Sequence, residues 1–262
     1  MFISLVIPIL LGLLAGLAVN YLSDVLPITR KFSQPTCEQC GTVYTWKDYF
    51  FFRACQNGHN RKIRHWIVQA FMLFISIYTW LQPPAKIGYT LGLVLIIYFG
   101  VIFTIDMEHR LILHPTSIFG SLLALVVGLI IHGLKPTLLG GLSGLLIMLS
   151  FYYLGVLFTK IRTRRMIAMG QEVDDEEALG AGDVILVTIL GFMLGWPLIW
   201  FGLLFGILLG GLVSLLLIFS LVVTRKYEKN ALMLFIPYGP YFITSTFLIL
   251  YFPSFIEKIV PG

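Results

Sequence analysis

Two aspartates carry the first chemistry this chain invites. Asp106 closes an uncharged stretch, in Ile105-Asp106-Met107-Glu108-His109-Arg110, and Asp183 opens another, in Leu179-Gly180-Ala181-Gly182-Asp183. A carboxylate at the edge of an apolar run is costly to ionise unless water, a partner or a function accompanies it. Two carboxylates held within about 3 Å cannot both ionise, so they share one proton; the ionised one activates water while the protonated one polarises a peptide carbonyl. That is aspartyl protease chemistry. Gly180 and Gly182 have no Cβ, which lets backbone and substrate approach the acid. At a helix start the macrodipole favours Asp183 as the anion, leaving Asp106 to hold the proton. The plain structural alternative makes Asp183 a helix-start acid and Asp106 a boundary charge beside Arg110.

A second group is built for metal. Cys37-Glu38-Gln39-Cys40 has the two-residue spacing that turns both thiolates toward one zinc, and Cys55 with His59 completes a tetrahedral Cys₃His set. His65 as fourth ligand, or an incomplete and metal-free cluster, are the alternatives. A site closed by four protein ligands is structural, not catalytic.

These residues must be positioned by helices in a bilayer. Of the 262 residues, 58% are hydrophobic and 12% charged, and the mean hydropathy is +0.91, far from a soluble domain. Uncharged runs lie at 1–23, 66–85, 87–105, 111–134, 136–159, 184–224 and 231–256, and a spanning helix needs about 20 apolar residues. The run 184–224 is long enough for two crossings, with Gly195-Trp196-Pro197 as its turn. The expected fold is therefore all-α and polytopic, with eight transmembrane helices. A small cytosolic, zinc-binding insertion follows the first of them.

Residues 1–23 form the first membrane helix, 24–65 the cysteine-containing domain, and 66–262 a seven-helix core with a cytosolic loop at 160–183. The first run lacks a preceding basic residue and a small-residue cleavage site, so it reads as a retained helix. The segments 24–65, 106–110, 160–183 and 225–230 hold 15 of the 18 Lys and Arg, leaving Lys86, Lys135 and Lys258. Those four segments share one side of an eight-helix path. By the positive-inside rule that side is the cytosol, which puts both termini outside. There the cysteines face a reducing compartment, where persistent disulfides are rare. Asp106 and Asp183 fall at one membrane depth, and the net charge of +5 calls for no nucleic acid.

Pro237 and Pro240, beside Gly239 at the start of the last helix, leave carbonyls without intrahelical donors. An extended substrate strand would satisfy them; a packing kink is the rival. The acidic run Glu172–Glu177 would attract a basic peptide, or is a solvated loop. Gly140-Gly141, Gly144, Gly206 and Gly210-Gly211 suit close helix packing. Two other classes remain open. One is a proton-coupled transporter relaying protons through boundary acids; the other is a membrane scaffold with dispensable aspartates.

The residues then resemble a known family. Glu177-Ala178-Leu179-Gly180-Ala181-Gly182-Asp183-Val184 and Ile105-Asp106-Met107-Glu108-His109-Arg110-Leu111 are similar to the two aspartate motifs of the prepilin peptidases. These are the type IV leader peptidases of the GxGD class of membrane aspartyl proteases. Gly16-Leu17-Ala18-Val19-Asn20 with Leu26-Pro27, and Ile236-Pro237-Tyr238-Gly239-Pro240-Tyr241, resemble its first and late elements. Pro115 stands a little beyond the family's usual proline. The resemblance implies eight helices in a bacterial inner membrane and the catalytic pair Asp106 and Asp183. The substrates it implies are type IV prepilin or pseudopilin precursors with short basic leaders, as in pilus and secretion systems. Relatives often carry two Cys-x-x-Cys pairs; here only Cys55 matches the second. Many also methylate the new N-terminus with S-adenosylmethionine, but Gln69 stands where the family usually has glutamate.

Overall fold

The computed structural model describes residues 2–168, 180–223 and 237–253. Among them the regular elements are helices: α1 (Phe2–Thr29), α2 (Trp46–Phe50), α3 (Ile63–Leu81), α4 (Gly88–His109), α5 (His114–His132), α6 (Leu134–Ala168), α7 (Ala181–Leu194), α8 (Leu198–Val223) and α9 (Gly239–Tyr251). An isolated antiparallel bridge joins Thr36 to Val43. Five helices, α1, α4, α5, α6 and α8, are long and apolar enough to cross a bilayer, so the protein is an all-α, multi-pass membrane protein. Helix α3 carries Arg64 and His65 in its first turn, and α7 and α9 are shorter. Among the described residues each uncharged run other than 184–224 overlaps one of these helices. The run 184–224 is divided between α7 and α8 at Gly195-Trp196-Pro197, where the Trp196–Pro197 bond is cis.

The chain divides into two compact units, one running to Thr116 and rejoined at Tyr251, the other from Ser117 to Leu250. In the first unit α1 packs on α3 and α4, and α3 on α4. Gly12 lets α3 come close, since a Cβ there would stand 2.9 Å from the Ser76 Cβ. Two polar side chains at this interface donate to the neighbouring helix's backbone, a pairing that a bilayer favours. The Ser76 hydroxyl donates to the Pro8 carbonyl (2.8 Å), and the Gln69 amide to that of Leu13 (2.9 Å). Helix α4 is buried on most sides, through Leu95, Ile96, Val101, Ile102 and Ile105 among others. It ends where Arg110 turns left-handed at φ 53° and donates its N–H to the Asp106 carbonyl (2.9 Å), a common helix stop.

In the second unit α6 and α7 approach backbone to backbone. A Cβ on Gly140 would lie 2.3 Å from the Gly191 carbonyl oxygen, and one on Gly191 2.5 Å from that of Gly140; Gly144 meets Val187 in the same way. The expected packing glycines are thus in use on α6. On α8, Gly206 accommodates Phe242 and Gly210 accommodates Tyr241, while Gly211 faces nothing within 4 Å. Helices α8 and α9 run antiparallel, because Gly210 pairs with Tyr238 and Tyr241 at one end and the Ser245 hydroxyl donates to the Gly202 carbonyl (2.7 Å) further along. Leu194 packs against Gly202, so α7 also runs antiparallel to α8.

Candidate active site and metal centre

Asp106 sits in the last turn of α4, the terminal member of a buried series that includes Thr104 and Ile105, and is 4% exposed. Its place at the end of an apolar helix is the one that the sequence leads one to expect, and its burial is a further finding. Its neighbours Met107, Glu108, His109 and Arg110 are exposed.

Asp183 lies in the first turn of α7, half-buried. Gly180 is the helix cap, at φ −79° and ψ 145°. The Asp183 N–H donates to the Gly180 carbonyl (3.1 Å), and the Asp183 carboxylate accepts from the Gly180 N–H. The carboxylate thus supplies the N3 half of a capping box, and Gly180, having no side chain, cannot supply the other. Nothing about Gly180's backbone demands glycine. Its φ is ordinary, and an added Cβ would come no nearer than 3.8 Å to the Asp183 carboxylate. The glycine leaves open space beside the acid.

The antiparallel run of α7, α8 and α9 brings Asp183 and Pro237, Gly239 and Pro240 to the same end of the second unit. Val187, one turn after Asp183, lines a small apolar cavity with Phe242, one turn into α9. Gly239 and Pro240 are buried, and Pro237 is half-buried. The acidic run Glu172–Glu177 lies outside the described residues.

Cys37, Cys40, Cys55 and His59 come together with their ligand atoms all within 4.8 Å of one another. Two turns build the cluster. In one, the Gly41 N–H donates to Cys37 O (2.8 Å) with Gly41 at φ 70°; in the other, the Gly58 N–H donates to Cys55 O (2.8 Å) with Gly58 at φ 81°. Both glycines occupy left-handed backbone that other residues enter only at a cost. Tetrahedral zinc, with bonds of about 2.3 Å to sulfur and about 2.0 Å to nitrogen, has ligand edges of about 3.8 Å (S to S) and about 3.5 Å (S to N). Cys40 to Cys55 is 3.7 Å, Cys55 to His59 Nδ1 3.4 Å, and Cys37 to His59 Nδ1 4.0 Å. The four residues fit a zinc ion. Thr42, with its hydroxyl 2.9 Å from the sulfur and its backbone also bonded to it, holds the Cys40 thiol down to about 6, which favours the ligating thiolate. Tyr44, pushed up to about 12 by burial and by the Cys37 sulfur, stays protonated as a donor to that sulfur.

Comparison with known proteins finds a match to the type IV leader peptidase family over residues 93–215. The chain contains a type IV leader peptidase domain. No curated protein and no solved structure matches it. The leader peptidase domain spans both aspartates with α5, α6 and α7 and much of α4 and α8. The cysteine segment and Pro237–Pro240 lie outside it. That match gives family-level support for a membrane protein of aspartyl-protease-like type.

The structure also gathers a polar cluster around Asp24 that sequence reasoning did not foresee, although it named His65 as an alternative metal ligand and Asn20 within a family element. Asp24 on α1 accepts from Tyr49 (2.5 Å) and His65 Nε2 (3.0 Å), pairs with Arg64, and has Arg61 at 3.5 Å. Arg61 lies over the rings of Tyr49 and Tyr44, at 4.0 and 4.7 Å. The His65 ring is thereby engaged with Asp24, and the metal group takes His59. The Asn20 amide donates to the His65 carbonyl (3.1 Å). The available sequence signal was an acid at the end of an apolar helix within a segment rich in cations.

Proposed function

We propose that this protein is a prepilin peptidase. In this reading it is an endopeptidase of the bacterial inner membrane that removes the short basic leader from type IV prepilin or pseudopilin precursors at the cytosolic face. The observation that carries the proposal is the leader peptidase match over residues 93–215, which contains both aspartate motifs. Asp106 and Asp183 share one proton. The ionised carboxylate takes a proton from water as its oxygen attacks the scissile carbonyl, and the protonated one hydrogen-bonds the developing oxyanion. The open space beside Gly180 admits the substrate backbone. Pro237, Gly239 and Pro240, at the same end of the second unit as Asp183, offer carbonyls to an extended strand.

The eight helices other than α2 cross the bilayer with both termini outside. Zinc held by Cys37, Cys40, Cys55 and His59 has a structural role, fixing the cytosolic segment. We do not extend the proposal to methyl transfer from S-adenosylmethionine. Gln69, where an acid would face an amine, uses its amide on the Leu13 carbonyl.

Co-expression with a prepilin precursor tests the reading. Asp106→Asn and Asp183→Asn, each inserted in the membrane like wild type, are expected to lower cleavage by at least about a thousandfold, the scale for removing one member of a cooperating catalytic unit. A correctly inserted variant that cuts at the wild-type rate would sink the shared-proton mechanism.

A further inference from the structure

The end of α4 is tied to the cysteine segment through one side chain. Arg64, 15% exposed at its side chain, donates from Nη1 to Glu108 Oε2 (3.1 Å) in the last turn of α4, and from Nη2 to Asp24 Oδ1 on α1. Asp24 is bonded in turn to Tyr49, which shares one buried cluster with Tyr44, Cys37 and Cys55. An unbroken series of contacts therefore runs from the metal ligands through Tyr49, Asp24 and Arg64 to Glu108, two residues from Asp106. The last turn of a helix has carbonyls without intrahelical partners and frays readily. At the end of α4, Met107, His109 and Arg110 are exposed and give it little packing. Yet a catalytic carboxylate must be held closely, since an error of about 1 Å can cost about a hundredfold in rate. A planar guanidinium can hold two carboxylates at once in fixed directions, which a lysine ammonium does less well.

We propose that Arg64 is a positioning residue for proteolysis: bound to Glu108 and Asp24 together, it braces the last turn of α4, and so Asp106, against the metal-binding segment. The proposal rests on the peptidase reading above. It assigns Arg64 no contact with substrate.

Full-length wild type, Arg64→Gln, Glu108→Gln, the double variant and Arg64→Lys are compared on a precursor peptide with a basic leader. Zinc content and hydrogen exchange over residues 104–110 are measured alongside. Each single glutamine variant is expected to lower kcat by about tenfold with KM within about twofold. The double variant should be no slower than the singles, because both remove the same contact. Arg64→Lys should recover part of the rate, zinc should stay at the wild-type level, and exchange at 107–110 should quicken. Wild-type kcat in either single variant, losses that multiply in the double, zinc loss parallel to activity loss, or unchanged exchange would each overturn the brace. If the wild type itself cuts no precursor, the peptidase reading falls, and the exchange measurement still decides whether Arg64 holds the helix end.

Discussion

At Cys40 a neighbouring threonine prepares a metal ligand in advance of the metal. Thr42 lowers its proton affinity to about 6 from an ordinary thiol value near 9. Between those values the unfolded segment binds more protons than the folded one, so stability rises with pH across the window and is lost as pH falls through about 6. Thermal unfolding of metal-stripped protein should show this slope, and Cys40→Ser should flatten it. Untreated wild type should carry one zinc per chain, and His59→Ala or Cys55→Ser should abolish stoichiometric binding. The metal group was legible because its ligands sit at short, chemically restrictive spacings, and the site uses Gly58 in a turn where a second Cys-x-x-Cys pair would have its last cysteine. The Asp24 cluster was not legible. Its members Asp24, Tyr49, Arg64 and Glu108 come from four different helices and Arg61 from the segment before α3, and long-range pairing of common charged residues leaves no periodic mark.

Helices were legible as apolar runs, because lipid requires both length and hydrophobicity of each crossing. Their ends were less so. Helix α1 continues to Thr29, beyond the run that stops before Asp24, and α6 to Ala168 beyond residue 159; backbone hydrogen bonds carry a helix into water after its apolar face has ended. The contact between α6 and α7 gives the sharpest test at this scale. Gly140→Val or Gly191→Val puts a Cβ within 2.3 to 2.5 Å of a carbonyl oxygen, which forces the backbones apart at a cost of about 1–3 kcal/mol or more. Both variants should melt at lower temperature in detergent, whereas Gly211→Val, with nothing within 4 Å of the new Cβ, should melt like wild type. Equal melting of all three would refute the backbone contact.

For the whole molecule the proposed eight crossings are tested at α3, α7 and α9, which fall outside the five clear spans. Reporter fusions after residues 30, 110 and 225 should read as cytosolic, and fusions after 86, 135 and 196 as external. A cytosolic signal at 196 would remove the α7 and α8 crossings together. Synthesis of such a chain has an order, and Asp24 makes it consequential. Its partners Arg64 and His65 follow 40 and 41 residues later. At about 5–20 residues per second, the carboxylate waits roughly two to eight seconds before they are made. During that interval an unpaired carboxylate at the end of the first helix is costly to carry into lipid, so its charge opposes deeper entry of that helix until its own later cations are made.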